Sequence, residues 1–153
     1  LYILLIVFSL FITYSVFPLM NPGKIAAYYT NFLSYVSGNK STTDYYAFFD
    51  KDVPEDYEVA AFLNLHLKKN DSIFLWGNSA QIYTLTNTLP PGRYAVAYHI
   101  NSEAAFSETQ EAIDLKKPRY IVIQPGIALP QLHLSAYSYL ATIGATDIYE
   151  RTY

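Results

Sequence analysis

The pattern of apolar and polar positions divides the chain into four stretches. These are an uncharged start, one amphipathic segment, an aromatic connector, and a longer region where helical and strand periods alternate. Residues 1–20, LYILLIVFSLFITYSVFPLM, contain no Asp, Glu, Lys, Arg or His. As a helix, at about 1.5 Å per residue, they reach roughly 30 Å, the thickness of a bilayer's hydrocarbon core. The run therefore predicts a transmembrane helix. Tyr14, Phe17 and Pro18 fall near one end, where aromatic side chains and a helix break are expected. A secretory leader would show a basic start, a shorter apolar core and a small-residue cleavage site, none of which is visible. The chain has no initiator Met and starts in mid-pattern, so it reads as a fragment whose N-terminal part is missing.

Residues 24–36 place Ile25, Tyr28, Tyr29, Phe32, Leu33 and Val36 on one helical face. With no basic residues on the opposite face, this stripe is expected to pack on protein. Residues 40–51 read as a linker whose Tyr45, Tyr46, Phe48 and Phe49 are pinned to something apolar. Three regions follow from this: a span over 1–20, an amphipathic helix and linker over 21–52, and a soluble domain over 53–153.

Within 53–153, Pro54 and the carboxylates of Glu55, Asp56 and Glu58 suit a helix start. Val59, Phe62, Leu63 and Leu67 form its buried stripe, and Lys68-Lys69-Asn70 close it. Residues 72–76 are a short apolar strand, 78–84 one or two helical turns, and 86–92 a loop. The alternation of 93–100, RYAVAYHI, predicts a second strand. Residues 103–117 read as a helix that Pro118 ends. Residues 119–124, RYIVIQ, form a strand with the continuous apolar middle of a buried parallel strand. A helix is expected over 130–143, with Leu132, Ala136, Tyr139, Leu140 and Ile143 inward, and a last strand over 147–152. The fold class expected is thus α/β: one transmembrane helix, then a small, mostly parallel, Rossmann-like layer.

Candidate chemistry is sparse. Asp71-Ser72-Ile73-Phe74-Leu75-Trp76-Gly77-Asn78 resembles the opening of a nucleotide fold, but a phosphate loop needs several glycines and only Gly77 is present. In open α/β sheets ligands gather beyond the carboxyl ends of strands. If the strands ending at Trp76 and Gln124 are neighbours, Asn78, Gln81, Tyr83 and Gln124 line one polar crevice, with His99 facing it. The plainer reading is that Asn78 caps the next helix and Gly77 permits the turn. His66, His99 and His133 show no zinc spacing. Glu55, Asp56 and Glu58 are explained by a solvated helix start. No nucleophile elbow occurs.

Composition narrows this further. With no Cys, neither a disulfide nor a thiolate metal site is possible. A formal net charge of −3 argues against a nucleic-acid partner. Neither cofactor nor metal is expected. Sixteen Tyr and nine Phe suit buried surfaces with one wet edge.

Several stretches, in order, carry a resemblance. They are Tyr45-Tyr46-Ala47-Phe48-Phe49-Asp50, Asp71 to Asn78 as above, and Ile82-Tyr83-Thr84-Leu85-Thr86-Asn87-Thr88-Leu89-Pro90-Pro91. Arg93-Tyr94 with Tyr98-His99, Lys117-Pro118-Arg119-Tyr120-Ile121-Val122-Ile123 and Ile148-Tyr149-Glu150-Arg151 continue it. The chain resembles the C-terminal region of bacterial GT-C membrane glycosyltransferases, glycosyltransferase family 39, of the protein O-mannosyltransferase-like and aminoarabinose-transferase-like kind. The resemblance implies a bundle of membrane helices using a polyprenyl-phosphate sugar. It implies a catalytic Asp in the first extracytoplasmic loop, which no position here matches, so no catalytic residue is assigned. Residues 1–20 would be the last span of an integral protein of the bacterial cell membrane, with the rest extracytoplasmic and positioning the acceptor. Its partners would be the lipid bilayer, the remaining transmembrane helices, and a lipid-linked sugar or acceptor. The rival readings are a small-ligand binding module at Asn78, Tyr83, His99 and Gln124, and a purely structural domain.

Overall fold

The computed structural model describes residues 2–16, 22–127 and 132–152. The chain divides into two compact units, Leu1–Lys51 and Asp52–Tyr153.

In the first unit, α1 (Tyr2–Val16) is a 15-residue apolar helix. Thr13 Oγ1 donates back to Ser9 O at 2.9 Å, as hydroxyls in apolar helices do. Among the described residues no helix is long and apolar enough to cross a membrane. At about 1.5 Å per residue α1 reaches ~22 Å, short of a ~30 Å hydrocarbon layer. The expected transmembrane helix, and the integral-membrane placement that rested on it, are overturned on length. Residues 1 and 17–20 of that expected span lie outside the described residues.

Helix α2 (Pro22–Val36) and the short α3 (Thr42–Ala47) pack through aromatic rings. Tyr35 stacks on Tyr45 with centroids 4.4 Å apart, and Tyr28 meets Phe48 edge-on at 5.5 Å. The buried Asn31 ties the two helices together. Its Nδ2 donates to Tyr45 O at 3.2 Å and its Oδ1 accepts from Lys40 Nζ. Ser41 caps α3, its Oγ accepting from Asp44 N at 3.0 Å. The surface that pins Tyr45 and Phe48 is thus α2.

The second unit contains α4 (Val53–His66), β1 (Ile73–Trp76), α5 (Gln81–Leu85), a 3-10 turn at Ala97–His99, α6 (Glu103–Lys116), β2 (Tyr120–Ile123), β3 (Tyr137–Ile143) and β4 (Thr146–Arg151). The strands form one sheet in the order β1-β2-β4-β3. β1 and β2 are parallel, whereas β4 runs antiparallel to both β2 and β3. The expectation of a mostly parallel, Rossmann-like layer is therefore corrected to a four-stranded mixed sheet.

Two local differences account for the change. Residues 93–100 do not pair as a strand. They fold as a loop and 3-10 turn that buries Val96, Ala97 and Ile100, with Ala97 N donating to Gly77 O at 2.8 Å. Residues 137–143, expected within a helix, are β3. The link Gly144-Ala145 closes a tight hairpin to β4 with Gly144 at φ +60°, as two-residue hairpin turns with Gly first require. A bulge at Leu140 separates the pairs Tyr139↔Tyr149 and Ala141↔Ile148.

Both faces of the sheet are covered. Ile73, Leu75, Tyr120, Val122 and Ile148 face Val59 and Leu63 of α4 and Ile82 and Tyr83 of α5. Phe74, Trp76 and Ile121 face Ala105 and Ile113 of α6, with Ala97 and Ile100. The continuous apolar runs of β1 and β2 are explained by this double burial. α6 starts at Ser102, whose Oγ accepts from Ala105 N at 3.2 Å. It ends at Lys117, left-handed at φ 48°, whose N–H returns to Ile113 O at 2.8 Å.

Candidate ligand-binding site

The parallel pairing of β1 and β2 brings their carboxyl ends side by side, so the crevice expected there exists as a place. Gln124, just beyond β2, fills it. Its Oε1 accepts from Asn78 N at 2.9 Å and Ser79 N at 3.1 Å, and its Nε2 donates to Asp56 Oδ1 at 2.9 Å. The other carboxylate oxygen of Asp56 accepts from Gln81 Nε2. Gly77 allows this approach: a Cβ there would lie 2.1 Å from Gln124 Oε1.

The structure thus joins Asn78, Gln81 and Gln124 in one network, with a fourth member that the sequence did not point to. Asp56 is 2% exposed and is not part of a solvated helix start. Burial pushes its carboxyl above the usual 3.8, opposed by hydrogen bonds from Gln81 and Ser79 and assisted by the nearby charges of Asp52 and Glu55. Its amide partners lie 25 and 68 residues away in sequence, a separation no local pattern encodes.

Asn78 does not cap α5, which starts after Ala80 without a side-chain cap. Its Oδ1 accepts instead from Tyr98 N at 3.3 Å. Tyr83 is turned into the core, where its hydroxyl accepts from Leu75 N at 2.9 Å and burial pushes it up to about 12. His99 is exposed on the 3-10 turn, its ring 4.0 Å from that of Tyr98. Its neighbour Tyr98 is the residue bonded to the network, through Asn78 Oδ1.

At the opposite end of the sheet there is an open cleft of about 500 Å³. It lies where α6 ends, β3 begins and β4 finishes, and Ile113, Asp114, Lys117, His133, Tyr137 and Arg151 line it with Ser135, Ala136 and Thr152. The walls are held by bonds of their own. Tyr137 Oη donates to Pro118 O at 3.0 Å, and Arg151 Nη1 donates to Lys117 O. Gln110 accepts from His133 N at 2.7 Å and donates to Asp114 Oδ1 at 2.9 Å. Burial pushes the Tyr137 hydroxyl up to about 12, with Arg151 opposing and Asp114 adding to the rise. Reading residues 130–143 as a helix concealed this cleft. The two signals that reveal it are the β-rich string YSYLATI and the glycine that follows it.

Among the described residues no group of three or more His, Cys, Asp or Glu side chains is placed to hold a metal ion. No protein-family model, curated protein or solved structure matches the chain. The resemblance to membrane glycosyltransferases finds no support there. The fold and its cleft define the second unit as a two-faced mixed α/β layer with a filled crevice at one end and an open cleft at the other.

Proposed function

We propose that the second unit is a small-ligand binding module, and that its ligand enters the cleft between the end of α6 and the β3–β4 hairpin. The observation that carries this reading is the contrast between the two ends of the sheet. Beyond β1 and β2 the polar groups are tied to one another by Gln124. At the other end, ionic, aromatic and apolar side chains converge on about 500 Å³ of open space, within the range small-molecule sites occupy. Ile113, Ala136 and the Tyr137 ring give the cleft apolar surface among its polar and charged groups, and convergent polar groups are what fixes a ligand's orientation. The role is recognition, with no catalytic residue assigned.

The test is a screen of small molecules by ligand-observed NMR on the full chain, followed by backbone-shift mapping. Binders that shift Lys117, Tyr137 and Arg151 support the module. A screen whose binders shift only Asn78, Gln81 and Gln124 moves the site to the strand ends and ends this proposal.

A further inference from the structure

Resting on the cleft as the binding site, we infer that its ligand is a small organic oxyanion, a carboxylate or a phosphate ester on a short apolar body. The formal charges on the lining are Lys117 and Arg151 against Asp114, a surplus of one positive charge. Asp114 is already engaged, accepting from Gln110 Nε2 at 2.9 Å. Arg151 is half-buried and oriented, one Nη1–H being fixed on Lys117 O. That bond sets the plane of the guanidinium, whose fork matches carboxylate and phosphate oxygens. It also covers a carbonyl at the negative end of α6, which would otherwise repel an anion.

Lys117 is the second observation. It sits at φ 48°, ψ 59° where α6 ends. Glycine is the usual residue at such a helix end, because a side chain in the left-handed region is strained. Lys117 lines the cleft and keeps its cationic side chain there at a conformational cost, and strained positions of this kind gather at ligand sites. His133 adds ring nitrogens to the same wall, and its backbone is fixed on both sides by Gln110. Ile113, Ala136 and the Tyr137 ring supply the apolar part. That part favours a ligand with a body over a bare ion.

The experiment is an NMR and calorimetric titration of the full chain with benzoate, phenyl phosphate and inorganic phosphate. Benzyl alcohol and benzylamine serve as neutral and cationic controls. At least one aryl anion is expected to bind, shifting Ala136, Tyr137 and Thr152, while benzylamine does not. Comparing the two anions separates a carboxylate from a phosphate as the preferred group. Arg151→Gln is expected to weaken binding roughly tenfold, the cost of one charge-assisted hydrogen bond. Because Arg151 also holds the α6 end, Lys117→Gly is the second variant. It is expected to fold at least as stably as the parent and yet bind several-fold more weakly.

Tighter binding of benzyl alcohol or benzylamine than of either anion overturns the oxyanion assignment while leaving the cleft as a site. Failure of all five probes to bind overturns both. Equal binding of inorganic phosphate and phenyl phosphate overturns the apolar-body half of the inference. Undiminished binding by Lys117→Gly removes Lys117 from it.

Discussion

The carboxamide of Gln124 occupies the space that a side chain on Gly77 would need: a Cβ at Gly77 would lie 2.1 Å from Gln124 Oε1 and 2.6 Å from its Cδ. The two residues sit at the carboxyl ends of neighbouring parallel strands, where a ligand would otherwise be sought. Gln124 is also the hub of the bonds to Asn78, Ser79 and Asp56, so it cannot swing aside without breaking them.

Gly77→Ala is therefore expected to destabilise the protein by about 1–3 kcal/mol, the range for forcing extra carbon into a filled site. Urea denaturation of the two proteins checks this. A loss below about 0.5 kcal/mol, the ordinary scatter of harmless substitutions, would mean that Gln124 rearranges freely.

Tyr83 closes a different gap. β1 is an edge strand, and Leu75 N donates to the Tyr83 hydroxyl at 2.9 Å, not to another strand. Tyr83→Phe keeps the ring and removes the acceptor. It should cost about 1–3 kcal/mol, the penalty for stranding a buried N–H. Hydrogen exchange at the Leu75 amide should quicken at the same time; an unchanged amide would show that the bond contributes nothing.

The acid–base consequence falls on Asp56. Its folded-state carboxyl is held above 3.8, so across the interval from there upward the folded chain binds more protons than the unfolded one. Its contribution to stability is fully present below 3.8 and is lost as pH rises through the folded value. Asp56→Asn cannot ionise. Its carbonyl still accepts from Gln124, and its amide pairs with a flipped Gln81. The stability of the parent relative to this variant should fall as pH is raised from about 3.8 towards neutrality. Urea midpoints measured across that range decide the matter, and a difference that grows with pH would reverse the assignment.

Lys117→Gly should raise stability by up to about 1 kcal/mol, since it relieves a left-handed residue at the modest loss of a cation near a helix end. A thermal melt reads this directly, and a clear fall in midpoint would mean that the lysine is structural.

Much of this fold is legible in the sequence because burial on two faces writes itself as a continuous apolar run. Ile73 to Trp76 and Tyr120 to Ile123 show it, and Pro54 marks a helix start. The pairing of those runs was readable only as a condition, and so was the meeting of Asn78, Gln81 and Gln124. What the sequence conceals is whether a pattern finds a partner. Residues 93–100 alternate like a strand, but Ala97 and Ile100 pack in the cluster with α6 and the Ala97 N–H is given to the Gly77 carbonyl. In 132–143 the apolar positions satisfy a helical period and a strand period alike, and the turn at Gly144 decides between them. Asp56 looks like a solvent-facing acid because the amides that bury it arrive from distant segments. The run 1–20 shows the opposite failure, since composition suggested a span that the helix does not reach.

The most direct test of the binding account is a backbone amide map of the full chain titrated with whichever of benzoate and phenyl phosphate binds more tightly. Shifts centred on Lys117, Ala136, Tyr137, Arg151 and Thr152, with Asn78, Ser79 and Gln124 unmoved, are the predicted result. Shifts centred on Asn78, Ser79 and Gln124, with the α6 cleft silent, would contradict it.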